Sequence, residues 1–148
     1  GTLLEISLQE LAAALEKTDV LQGYADTRDG RIILMGEDES DARTEAASRE
    51  EERMERLLSI EEDWQRYVPL PDIYNAEIRS IMQTFAEKVP QEARVALEET
   101  LRGASARLRF RRAVQSLSLV TAWQAHLSSS LLALARDWCE ENAIAYRE

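Results

Sequence analysis

The longest periodic run in the chain extends from Leu119 to about Asn142. Trp123, Leu127, Leu131, Leu134 and Trp138 recur there at intervals of three and four, which places them on one stripe of an α-helix. An apolar stripe that long has to be covered by other elements, because a helix of this kind draws most of its stability from packing.

Most of the cover reads as helical. Ser7-Leu8-Gln9-Glu10 is a capping-box pattern, and Leu8, Leu11, Ala12 and Leu15 share one face behind it, predicting a helix from Leu8 to about Lys17. Asp72 is placed to cap a helix carrying Ile73, Ile78, Ile81, Met82 and Phe85. Pro90 suits the first turn of the next helix, with Ala93, Ala96, Leu97 and Leu101 in helical register and Gly103 as its left-handed end. Ser105 is read as starting a further helix through Leu117, and Ser118 as capping the last one. Upstream, the chain becomes helix-forming from Ala42, and Met54, Leu57 and Leu58 supply the apolar stripe of a surface helix ending near Ile60.

The β signal lies in the N-terminal half. Val20–Met35 reads as a hairpin: VLQGYA and RIILM are strand-like, Gly30 can close the loop between them, and Tyr24 and Ile33 are expected to point inward. Pro69 and Pro71 hold the backbone extended, so Arg66–Pro69 is read as a short edge strand pairing with the hairpin. Trp64 and Tyr67 are expected as core anchors rather than ligand stackers. Ala143–Tyr146 is expected to add a short extended piece. The predicted fold is therefore α+β and mainly helical, a small antiparallel sheet packed with five to six helices. One domain is expected over residues 1–148, with an acidic, flexible segment at 37–50.

Charge is segregated along the chain. The formal net charge is −10, yet residues 100–136 hold 6 arginines and no acid, while residues 37–63 hold 12 acids and 4 arginines. The basic side concentrates in RGASARLRFRR, Arg102–Arg112. On a helix from Ala104, Phe110 lies on the apolar stripe and Arg107, Arg109, Arg111 and Arg112 border it. Three readings are open for Arg102, Arg107, Arg109, Arg111 and Arg112. They can pair with the chain's own acids, in 37–63 or at Glu98, Glu99, Glu140 and Glu141. They can face an acidic protein partner. They can bind phosphates of a nucleotide or nucleic acid. The net charge weighs against the last, since the whole-molecule field repels a polyanion.

Catalytic groupings are not recognisable. The one histidine, His126, and the one cysteine, Cys139, stand roughly 20 Å apart along a common helix, too far for a nucleophile–base pair. They are read as a surface or half-buried helix residue and a semi-buried apolar one. A lone cysteine forms no internal disulfide, and with one histidine it offers no zinc set of the familiar kinds. No glycine-rich phosphate loop or nucleophile elbow is present. No stretch approaches the ~20 apolar residues of a membrane helix, and GTLLEISLQE has neither the basic nor the apolar region of a secretory signal.

The order WQRYVPLP, IMQTF, LRGASARLRFRR and LARDWCEENAIAY resembles the bacterial uncharacterised protein family 158 over roughly Val20 to Tyr146. The residues that carry the resemblance are Tyr67, Pro69, Leu70, Pro71, Met82, Arg102, Gly103, Arg109, Phe110, Trp123, Trp138, Glu140, Glu141, Asn142 and Tyr146. Trp64 is a further structural position. The chain departs from the pattern in having Arg107 for an aromatic, Ser105 for a second glycine, Arg112 near the place of an acid and Ala143 near that of a glycine. The resemblance supports the fold and implies no activity. Together these readings point to a cytoplasmic, non-catalytic interaction or regulatory protein with a protein partner or a homodimer. No cofactor, metal or membrane is expected, and the alternative is phosphate or nucleic-acid binding through residues 102–112.

Overall fold

The computed structural model describes residues 5–19, 21–35 and 46–148. Among these, the elements run β1 (Ile6–Ser7), α1 (Leu8–Glu16), β2 (Gln22–Asp26), β3 (Arg31–Met35), α2 (Ala46–Glu62), β4 (Tyr67–Pro69), α3 (Ile73–Lys88), α4 (Gln91–Thr100), α5 (Ala106–Ser116), α6 (Val120–Glu141) and β5 (Tyr146–Arg147). The protein is a mainly helical α+β fold. Val20 and residues 37–45 of the expected flexible segment lie outside the described residues.

α6 is the backbone of the core. It buries Trp123, Leu127, Leu131, Ala135, Trp138 and Cys139. Leu134, expected on this stripe, is half-buried, because beyond Leu131 the buried row steps by four residues to Ala135. Cys139 is fully buried rather than semi-buried. α1 lies along α6 and α3 packs on α6, while α4 bridges α3 and α5. Phe85, Phe110 and Trp123 meet edge-on with ring centroids 5.0–6.3 Å apart, a geometry that adds to their area burial.

Two of the expected caps form. Ser7 Oγ accepts from the Glu10 amide at 3.3 Å and Asp72 from the Tyr74 amide at 2.9 Å. Pro90 sits at the cap position, one residue before helix α4. Ser118 does not cap α6. It is left-handed, with φ 58°, and it closes α5: its amide donates to Gln115 O at 3.1 Å, and the Leu119 amide to Val114 O at 2.9 Å. That is the double closure of a helix C-terminus, usually made with glycine. Ala143 closes α6 in the same way with φ 54°, through Ala143 N to Glu140 O and Ile144 N to Cys139 O.

The sheet has the order β3-β2-β4, antiparallel throughout. Ala25, Ile32 and Val68 stand in register and turn to the core. The period of two then sends Tyr24, Ile33, Asp26 and Tyr67 to the opposite face, so Tyr24 and Ile33 are half-buried on the far side instead of pointing inward. A second, two-stranded parallel pairing joins β1 to β5, with Ile6 N donating to Ala145 O at 3.0 Å.

The expected anchors around β4 are also corrected. Trp64 is 70% exposed, and Tyr67 is half-buried. α2 continues to Glu62, and Asp63 O then accepts from the amides of Arg66 and Tyr67, so a tight turn leaves Trp64 outside. Along α2, Ile60 is the buried residue, Leu57 is half-buried, and Met54 and Leu58 are 49% and 52% exposed. Of the expected stripe, Met54 and Leu58 therefore face outward. No helix among the described residues is long and apolar enough to cross a membrane.

Candidate interaction surface

α5 is held by two fully buried side chains, Phe110 and Val114. The helix starts without a side-chain cap, because Ser105 is left-handed, with φ 58°, and points no oxygen at the first turn. Gly103, at φ 82°, makes the sharp exit from α4 that brings α5 back against it.

The five arginines have different surroundings. Arg107 donates to Asp19 Oδ2 at 3.2 Å and lies over the Tyr74 ring at 4.2 Å. Tyr74 in turn donates its hydroxyl to Glu16 O. Burial, with Asp19 and Glu16 nearby, pushes the Tyr74 hydroxyl up, while Arg107 and Arg111 offset part of the rise. Arg109 donates to Arg102 O across the connector; its Nε is buried without a hydrogen-bond partner among the described residues. Arg102 is 3.6 Å from Glu99, both highly exposed, so the pair contributes little. Arg111 and Arg112 are exposed and form no ion pair among the described residues.

Among the described residues, internal neutralisation by the expected acids is thus realised only at Arg102–Glu99, and residues 37–45 of the expected acidic partner segment lie outside them. Glu98 is taken by Arg94 at 2.5 Å and Glu140 accepts from the Tyr146 hydroxyl at 2.8 Å. The acid that does engage the cluster, Asp19, and the ring that stacks on it, Tyr74, lie far away in sequence and fall into no pattern with the arginines. Helical spacing puts Leu108 between Arg111 and Arg112 on the side opposite Phe110, and Leu108 is 49% exposed. The outer face of α5 is an apolar spot between two guanidinium groups.

The far face of the sheet carries a second polar grouping. Asp26 is 2% exposed and receives Arg66 through two bonds, Nε to Oδ1 at 2.8 Å and a terminal nitrogen to Oδ2 at 2.7 Å. The Arg28 amide adds a third bond at 3.0 Å. Bonding to Arg66 holds the Asp26 carboxyl below the usual carboxylate range, against burial that would raise it. The pair borders an open cleft of about 650 Å³ that Glu52, Glu55, Arg56 and Ser59 of α2 also line. Asp26 is hidden in the sequence because DTRDG reads as a loop; in the structure it ends strand β2.

His126 and Cys139 are apart and differently engaged. His126 Nε2 is 2.9 Å from Ile81 O and 3.1 Å from Thr84 Oγ, Nδ1 faces Lys88 Nζ at 3.5 Å, and the ring lies against Phe85 and Trp123. Burial lowers its pKa, with the Lys88 charge adding to the effect and the Ile81 carbonyl opposing it. Burial, with Glu140, pushes the Cys139 thiol up.

A family model described as "Uncharacterised protein family (UPF0158)" matches residues 3–147. No curated protein and no solved structure matches the chain. With nearly its whole length covered by one family model, the chain belongs to the uncharacterised protein family UPF0158.

Proposed function

We propose that the protein acts without catalysis, by binding another protein through the outer face of α5 in a regulatory or scaffolding interaction. The observation that carries this reading is the triplet of exposed Leu108, Arg111 and Arg112, in which neither arginine has a carboxylate among the described residues. Apolar contact ringed by guanidinium groups is suited to an acidic protein surface, where arginine and desolvated apolar groups carry most of the binding energy. The groups best able to do chemistry support the same reading. The Cys139 thiol is buried and raised, which disfavours the reactive thiolate, and the His126 ring is engaged by the α3 backbone.

The test is affinity capture from the native cell lysate with the full chain, in nuclease-treated and untreated arms, beside an R111E/R112E variant. Capture of an acidic protein that survives nuclease and falls at least severalfold in the variant is the expected result. Capture abolished by nuclease transfers the arginines to nucleic-acid binding, and a turnover lost on a single substitution overturns the non-catalytic reading.

A further inference from the structure

The acidic half of the charge map presents a face that matches α5. On α2, Met54 and Leu58 are one turn apart and about half exposed. Helical spacing places Glu51 and Glu62 on one side of them and Glu61 on the other, and all three carboxylates are exposed. No ion pair engages these three among the described residues. The α2 face is thus an apolar pair edged by carboxylates, and the α5 face is Leu108 edged by guanidinium groups. Neither covers the other within one protomer, because Met54, Leu58 and Leu108 all remain exposed in the folded chain.

We infer that the occupant of the α5 face is the α2 face of a second copy of this chain. This deepens the binding role given to α5 and rests on it. Charge complementarity selects the occupant: acid-edged α2 repels another α2, arginine-edged α5 repels another α5, and only the mixed pairing brings opposite charges together around desolvated apolar side chains. A two-fold axis makes the contact twice, α2 on α5 and α5 on α2, so a contact that is small by itself is doubled. Because both sets of charges are exposed, the association is salt-sensitive.

A charge-swap experiment tests it on the full chain. Three proteins are followed by sedimentation velocity over a concentration series at low and moderate salt: wild type, R111E/R112E, and E51R/E61R/E62R. Wild type is expected to approach dimer mass with concentration and to dissociate roughly tenfold more readily at the higher salt. Each variant is expected to stay monomeric, since its like charges now meet. An equimolar mixture of the two variants is expected to regain dimer mass, because α2 and α5 are again opposite in charge at both contacts. That rescue also shows that both variants are folded. Wild type that remains monomeric at every concentration overturns the inference, and so does a mixture no heavier than its components. A monomeric wild type whose lysate capture still depends on Arg111 and Arg112 removes only the self-pairing. A monomeric wild type with no such capture removes the α5 binding role as well.

Discussion

At the scale of single residues, the backbone sign of φ separates what could be read from what could not. Gly30 and Gly103 are both left-handed, at φ 77° and 82°, and glycine announces such positions. Ser105, Ser118 and Ala143 adopt the same conformation with a Cβ, at a cost of about 1 kcal/mol each. Two of them, Ser105 and Ala143, coincide with places where the family resemblance leads one to expect glycine at or near the position. The closing geometry explains the preference: Ala143 is the left-handed residue of a helix end whose two closing bonds are both made. Ala143→Gly and Ser118→Gly are therefore expected to stabilise the protein by about 0.5–1 kcal/mol each, the relieved strain exceeding the added freedom of the unfolded chain. Urea unfolding midpoints check this; an unchanged or lowered midpoint for Ala143→Gly contradicts it. The misplacement of Trp64 has the same kind of cause. Its size suggests the core, while its position is decided by a turn in which the Arg66 and Tyr67 amides donate to Asp63 O, and nothing in the residue types records those bonds.

At the scale of elements, long helices with strong apolar spacing were legible, and short pairings were not. α1, α3 and α6 follow from their stripes and α1 and α3 from their caps, and the β2–β3 hairpin follows from its turn. β1 and β5 are two residues each, too short for any periodicity, and they exist because the ends of the chain meet over the core. Asp26 leaves no signal in the sequence because its ion pair with Arg66 spans 40 residues. Between α3 and α6, His126 is the only titrating group of its kind, and its environment makes a pH prediction. Its pKa is lowered in the folded protein, first by burial, so the unfolded chain takes up a proton before the folded one does. Stability from this site is complete above the ordinary imidazole value of about 6.5 and is lost as pH falls below it. The Lys88 ammonium facing Nδ1 works in the same direction. The expected outcome is an unfolding free energy that declines between neutral and mildly acid pH in wild type and is flat there in His126→Gln, whose amide can still donate to Ile81 O. A decline of equal size in both proteins would assign the effect to other groups.

At the scale of the whole molecule, the first helix packs along the last one, so the core is completed by contacts between opposite ends of the sequence. The β1–β5 pairing is the seam of that closure. Ile144 and Tyr146 pack against the buried cluster, and Arg147 donates to Glu5 O at 2.5 Å. These residues look peripheral in the sequence, but Tyr146 stands in register with Ile6, which is 1% exposed. Deleting residues 144–148 removes two partly buried apolar side chains and the strand partner of β1, at an expected cost of about 3 kcal/mol. Because α1 is seated on α6 beside this seam, the loss should be felt by the entire fold and not by a frayed end alone. Far-ultraviolet circular dichroism reports the helices, and tryptophan fluorescence reports Trp123 and Trp138 in the α6 core. In the truncated protein both transitions are expected to move together to lower denaturant, with an unchanged slope, as in a two-state unit. If the fluorescence transition stays in place while the circular dichroism signal shifts, α1 and the seam form a separable layer, and the end-to-end contact is not what holds the core.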